Sequence, residues 1–152
     1  MEENVTSTEI LELAIEKEKE SFKFYKDAVK KVDNTNAKIF FELLAVEEQK
    51  HISKLEFELI KRGKVVTRQE EESLNMDDLD FVIEVTPESK EIYLDILSGA
   101  IQRERQSFKL YLNLYAATAA PPETRNTLEA LIEEEIRHKM MLEIKYNHAA
   151  NL

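Results

Sequence analysis

Glu47-Glu48-Gln49-Lys50-His51 and Glu134-Glu135-Ile136-Arg137-His138 are the two stretches on which the reading of this chain turns. In each, a Glu and a His stand three residues apart, so on an α-helix both side chains leave from one face and can hold one metal ion. A single Glu-x-x-His carries little weight in a chain this acidic. Its recurrence carries more, because two of the three histidines close such a pair. Each pair also follows a helix-like stretch carrying Glu-x6-Tyr: Glu18 to Tyr25 and Glu104 to Tyr111. The four stretches form an ordered pattern that occurs twice.

Outward from these stretches the chain repeats itself. Ala14-Ile15-Glu16-Lys17-Glu18-Lys19-Glu20-Ser21-Phe22-Lys23-Phe24-Tyr25 aligns without a gap on Ala100-Ile101-Gln102-Arg103-Glu104-Arg105-Gln106-Ser107-Phe108-Lys109-Leu110-Tyr111. Leu44, Glu47, Glu48, His51, Leu55 and Glu56 match Leu131, Glu134, Glu135, His138, Leu142 and Glu143. A helix–turn–helix unit has been doubled, and a long middle segment joins the copies.

Apolar residues at alternating steps of four and three give each helix its seam. Helix 1 carries Leu11, Ile15, Glu18, Phe22, Tyr25, Val29 and Val32 there, behind a capping box at Thr6-Ser7-Thr8-Glu9. Asp33-Asn34-Thr35-Asn36 is turn chemistry and offers the next N-cap. Helix 2 places Ala37, Phe41, Leu44, Glu48, His51, Leu55 and Leu59 on its seam and stops at Gly63. Residues 64–87 have no helical period, although Phe81-Val82-Ile83 is apolar enough to dock on a bundle as an extended segment. Thr86-Pro87-Glu88 opens helix 3, with Leu97, Ile101, Glu104, Phe108, Tyr111 and Tyr115 in the same rhythm. Pro121-Pro122 opens helix 4, whose seam is Leu128, Leu131, Glu135, His138 and Leu142. The expected helices are about 7–32, 36–62, 88–117 and 122–149, in a single domain over 1–152.

At about 1.5 Å per residue, Glu18 lies about 20 Å below the first turn, and Glu48 with His51 lies as far below it on the other side. The second hairpin repeats this with Glu104, Glu135 and His138. Six polar groups can therefore share one layer of an apolar core. Four buried carboxylates without partners would cost many kcal/mol, so they either protonate or gather cations. Two divalent ions supply the matching charge, and carboxylate with imidazole suits iron or manganese better than thiolate-seeking metals. Glu20, Glu47 and Glu134 adjoin these residues but point off the seams, and are left out of the ligand set. His148 has no such context and is expected in solvent. Gly99 is read either as a close-packing point or as a tolerated helical glycine.

Composition narrows the remaining possibilities. Only two Gly and three Pro in 152 residues, with abundant Glu, Lys, Leu and Ala, favour an all-α chain. The absence of Cys excludes a disulfide framework and an iron–sulfur cluster. A net charge of −10 argues against nucleic acid and anionic membrane as partners. No apolar run approaches the roughly 20 residues of a membrane span. The start, Met1-Glu2-Glu3-Asn4, lacks an apolar leader, and a cytoplasmic location is expected.

With these residues in place the chain resembles the ferritin-like superfamily, and rubrerythrin-type domains most closely, over all four helices. The resemblance implies a ferritin-like four-helix bundle of two helical hairpins joined by a long crossover connection. It also implies a site for two iron ions, with manganese as the alternative, and no haem: bacterioferritins place a haem-ligating Met directly after the second-helix Glu, where Gln49 stands here. By that likeness Glu48 and Glu135 bridge the metals. Glu18 and His51 complete one ligand set, and Glu104 and His138 the other. Tyr25 and Tyr111 correspond to tyrosines that hydrogen-bond a ligand carboxylate across the bundle, a role that plain core packing rivals.

The expected activity is reduction of hydrogen peroxide or dioxygen at a diferrous site, with electrons from a separate redox protein because no Cys-rich rubredoxin tail is present. A homo-oligomer is expected, a dimer first. Rubrerythrins usually carry a further carboxylate three residues after the third-helix Glu, where this chain has Ser107. The ligand exchange of their peroxidase reaction therefore has no carboxylate at that position. The alternatives are a ferroxidase that stores or transfers iron, and a non-catalytic bundle stabilised by its metals.

Overall fold

A computed structural model of the chain describes residues 7–61, 76–116 and 122–151. Four long helices make up most of it: α1 (Ser7–Lys31), α2 (Thr35–Lys61), α4 (Pro87–Ala116) and α5 (Pro122–Ala150). A short helix, α3 (Met76–Leu79), lies in the middle connection, and there is no strand among the described residues. No described helix is long and apolar enough to cross a membrane.

Local chemistry sets the helix ends. Asn34 caps α2: its Oδ1 accepts the Ala37 N–H at 2.9 Å, and its carbonyl accepts the Lys38 N–H at 3.0 Å. Pro87 stands at the first position of α4, where its missing N–H costs nothing, and the Ser89 N–H bonds back to the Thr86 carbonyl at 3.0 Å. Lys30 and Lys31 close α1 and complement its negative end. Thr6, Gly63 and Pro121, each expected to mark a helix end, lie outside the described residues.

α1 packs along α2 and α4 along α5, as two hairpins. Tyr25 meets Glu104 while Tyr111 meets Glu18, so α1 and α4 run antiparallel. Glu134 meets His51 and Thr124 meets Glu58, which makes α2 and α5 antiparallel as well. The order is thus up-down-down-up, and the connection after α2 must cross the length of the bundle. Gly99 of α4 lies against the Phe24 ring of α1. A Cβ there would stand 3.2 Å from Phe24 Cζ, so the ring would have to give slightly to admit a methyl group, and a larger side chain has no room.

The last part of the connection is extended and alternates. Ile83 is buried and Phe81 and Val85 are half-buried, whereas Val82 and Glu84 face outward. Three side chains hold its carbonyls: Lys145 Nζ donates to Phe81 O at 2.5 Å, Asn36 Nδ2 to Val82 O at 2.8 Å, and Asn34 Nδ2 to Glu84 O at 2.5 Å. The Lys145 ammonium also lies over the rings of Phe40 and Phe81, and its burial lowers its pKa. Sequence periodicity finds no helix in this segment, yet Met76–Leu79 forms one turn of helix. Four residues are too few to show a period, and Asp77 and Asp78 suit the positive N-terminal end of such a turn.

Two apolar clusters fill the bundle. One, toward the α1–α2 turn, contains Tyr25, Phe40, Phe41, Leu44, Tyr93 and Leu97, with Leu79 and Ile83 of the connection. The other contains Leu11, Ile15, Ile52, Leu55, Leu114, Leu128 and Leu131. Between them runs a layer of buried polar groups.

Candidate metal centre

Each helix contributes to that layer where its seam passes from one cluster to the other. Glu18 lies between Ile15 and Tyr25, and Glu104 between Ala100 and Tyr111. Glu48 and His51 lie between Leu44 and Leu55, and Glu135 and His138 between Leu131 and Leu142. All six side chains are buried, none more than 3% exposed.

Their atoms form two overlapping groups. Glu18, Glu48, His51 and Glu135 each place one ligand atom within 4.8 Å of the others, and so do Glu48, Glu104, Glu135 and His138. Glu48 and Glu135 belong to both. His51 Nδ1 faces the first group, 3.1 Å from Glu135 Oε1, 3.3 Å from Glu18 Oε2 and 3.8 Å from Glu48 Oε2. His138 Nδ1 faces the second, 3.8 Å from Glu104 Oε1 and 3.9 Å from Glu48 Oε1. The two imidazoles stack with centroids 5.6 Å apart.

The tyrosines join the halves reciprocally. Tyr25 Oη donates to Glu104 Oε1 at 2.8 Å, and Tyr111 Oη donates to Glu18 Oε1 at 2.6 Å. Burial first, and then the neighbouring carboxylates, push both phenols well above their ordinary pKa, so both stay protonated donors. Each aims one carboxylate oxygen and leaves the other for the centre.

The layer is underfilled by protein alone. Glu48 Oε1, Glu104 Oε2, Glu135 Oε2 and His138 Nδ1 are buried without a hydrogen-bond partner. Such atoms are rare in native cores and point to an ion or water that completes them. Electrostatics agrees with this. Burial, followed by the charges of Glu104 and Glu18, raises the Glu135 pKa well above the carboxylate range. Burial would lower the His51 pKa, but its bonds to Glu134, Glu135 and Glu18 outweigh that and raise it. Burial lowers the His138 pKa. A buried set of four carboxylates and two imidazoles, protonated in part and with open donor atoms, fits two divalent cations.

Two residues set aside in the sequence are also here. Glu47 is 0% exposed and Glu134 4%, although both stand off the seams. Glu134 Oε2 lies 2.5 Å from His51 Nε2, and its Oε1 accepts from Lys54 Nζ at 3.2 Å. Glu47, His51 and Glu134 form a third close group. A helix with two neighbours buries an arc wider than its seam, so a residue about 100° off it can still be covered. The signal was available: the Glu-Glu doublet occurs in both copies. Ser107 is buried one turn beyond Glu104, whereas Glu20 and His148 are exposed.

Searches of curated proteins and of solved structures found no match. A protein-family model for rubrerythrin matches residues 9–146, a span that takes in both hairpins and every residue of the polar layer. With this fold and this layer, the chain belongs to the rubrerythrin family.

Proposed function

We propose that the protein is a non-haem di-iron oxidoreductase of the rubrerythrin type, reducing hydrogen peroxide or dioxygen with electrons from a separate redox protein. The observation that carries this is the pair of four-residue groups sharing Glu48 and Glu135, with their unsatisfied donor atoms turned inward. Glu18 and His51 would hold one iron, Glu104 and His138 the other, and Glu48 and Glu135 both. Two bound irons would supply the two electrons that, with two protons, convert one hydrogen peroxide to two waters.

The remaining tasks fall to the chain itself. Tyr111 and Tyr25 fix the rotation of Glu18 and Glu104 by holding one oxygen of each. The apolar clusters on either side exclude bulk water and strengthen every electrostatic contact in the layer. Glu48 and Glu135 tie the two positions together, so neither position is complete without both hairpins.

Replacing Glu48 or Glu135 with Ala should abolish paired metal binding, and an unchanged stoichiometry of two would sink the assignment. The activity is tested by anaerobic loading with Fe(II) followed by stopped-flow mixing with peroxide or dioxygen. Faster oxidation by peroxide is expected. Faster oxidation by dioxygen with continued Fe(II) uptake would make the protein a ferroxidase. Inertness to both would leave the metals a structural role.

A further inference from the structure

The two halves of the centre are not equivalent, and the difference lies beside the histidines. In the internal repeat Leu55 pairs with Leu142 and His51 with His138, so Lys54 pairs with Met141. Lys54 is buried, 7% exposed, and its ammonium donates to Glu134 Oε1. Glu134 Oε2 in turn meets His51 Nε2. In the other copy Glu47 stands in the place of Glu134, its charge acting on His138 after those of Glu104 and His51, and the place corresponding to Lys54 holds the buried thioether of Met141.

We propose that Lys54, Glu134 and His51 act as a one-sided positioning relay that makes the two metal positions unequal, the position bounded by Glu18 and His51 binding the tighter ion. This rests on the reading of the six layer residues as ligands for two ions. The geometry supplies the reason. Glu134 holds the His51 ring through Nε2, which turns Nδ1 toward Glu18, Glu48 and Glu135 and toward an ion bound among them. Lys54 fixes that carboxylate from the same helix as His51, one turn on. His51 Nδ1 is also drawn in more closely than its counterpart, with neighbours at 3.1 and 3.3 Å against 3.8 and 3.9 Å at His138. A ligand ring held in its binding direction gives up less freedom when the ion arrives. Lys54 and Glu134 are thus positioning residues that work through His51.

The test is calorimetric titration of the chelator-stripped protein with Co(II), which binds without redox chemistry. The wild-type protein is expected to take two ions in two resolved steps. Glu134→Gln, which keeps shape and removes charge, should weaken the tighter step by about tenfold to a hundredfold and leave the weaker one in place. Lys54→Met, which gives the first half the residue of the second, should bring the steps together. In the Co(II)-loaded protein the paramagnetically shifted His51 Nε2–H resonance should exchange with solvent faster in Glu134→Gln. A purely structural role would lower the thermal stability of the metal-free variants without moving one step against the other. Two indistinguishable steps in the wild type, or equal weakening of both by Glu134→Gln, would overturn the relay while leaving the metal centre intact. Failure to bind Co(II) at all would overturn the metal centre itself.

Discussion

Metal-free protein should lose stability as the pH rises above the ordinary histidine range, because the buried layer keeps protons that the unfolded chain gives up. Burial and the charges of Glu104 and Glu18 raise the Glu135 pKa above its ordinary 4.5. His51 rises above its ordinary 6.5, since its carboxylate bonds outweigh the opposing effect of burial. In the unfolded chain both groups have released their protons by about pH 7. Both folded values are raised, so their contribution is complete below the unfolded values and is lost as the pH passes through the folded ones. Each proton retained only by the folded state gives a slope of about 1.4 kcal/mol per pH unit, and two give up to about 2.7 kcal/mol. A domain of ordinary stability has about 5–15 kcal/mol in all, so one or two pH units should move an unfolding midpoint visibly. The His138 pKa is lowered by burial, so above its ordinary 6.5 that group is neutral in both states and adds no slope. The assay is urea unfolding followed by circular dichroism, on stripped protein and on protein loaded with two equivalents of Mn(II). Bound metal displaces both protons, so the loaded protein should show little slope over the same range. A stripped protein whose midpoint holds level or climbs would refute the idea that the layer relieves its charge by protonation.

Other substitutions probe the framework. Tyr111→Phe removes the 2.6 Å bond to Glu18 and should cost about 2 kcal/mol, or about 4–8 °C in thermal midpoint. Tyr25→Phe should cost a similar amount, and a null effect from either would deny the tyrosines their role in holding the carboxylates. Asn34→Ala loses both the α2 cap and the bond to Glu84, about 2 kcal/mol together by urea denaturation. Enhanced proteolysis within residues 80–86 would show the connection loosening in that variant. Gly99→Leu should destabilise by about 1–3 kcal/mol, because Phe24 occupies the space its side chain needs. Gly99→Ala should stay within about 1 kcal/mol of the wild type, its gain in helix propensity offsetting a tight Cβ.

The sequence by itself determined the four long helices, the doubling and the residues on the seams. Periodicity is local: a step of three or four residues states which side chains share a face, whatever the helix packs against. Glu18, Glu48, His51, Glu104, Glu135 and His138 were legible because each interrupts an apolar seam at a repeated height. Only the tertiary structure decided what lies beside the seams. Glu47 and Glu134 are one residue off, which reads as solvent until α2 and α5 face each other and cover them. Lys54, Lys61 and Lys145 look like surface residues for the same reason, yet each is buried against a carboxylate or a carbonyl brought from elsewhere or from the same helix. The crossing of Tyr25 to Glu104 and of Tyr111 to Glu18 also depends on α1 and α4 running antiparallel at matched height. A helix records its own faces in its sequence. Which neighbour covers each face is set by packing across the bundle, between residues 79 to 93 positions apart.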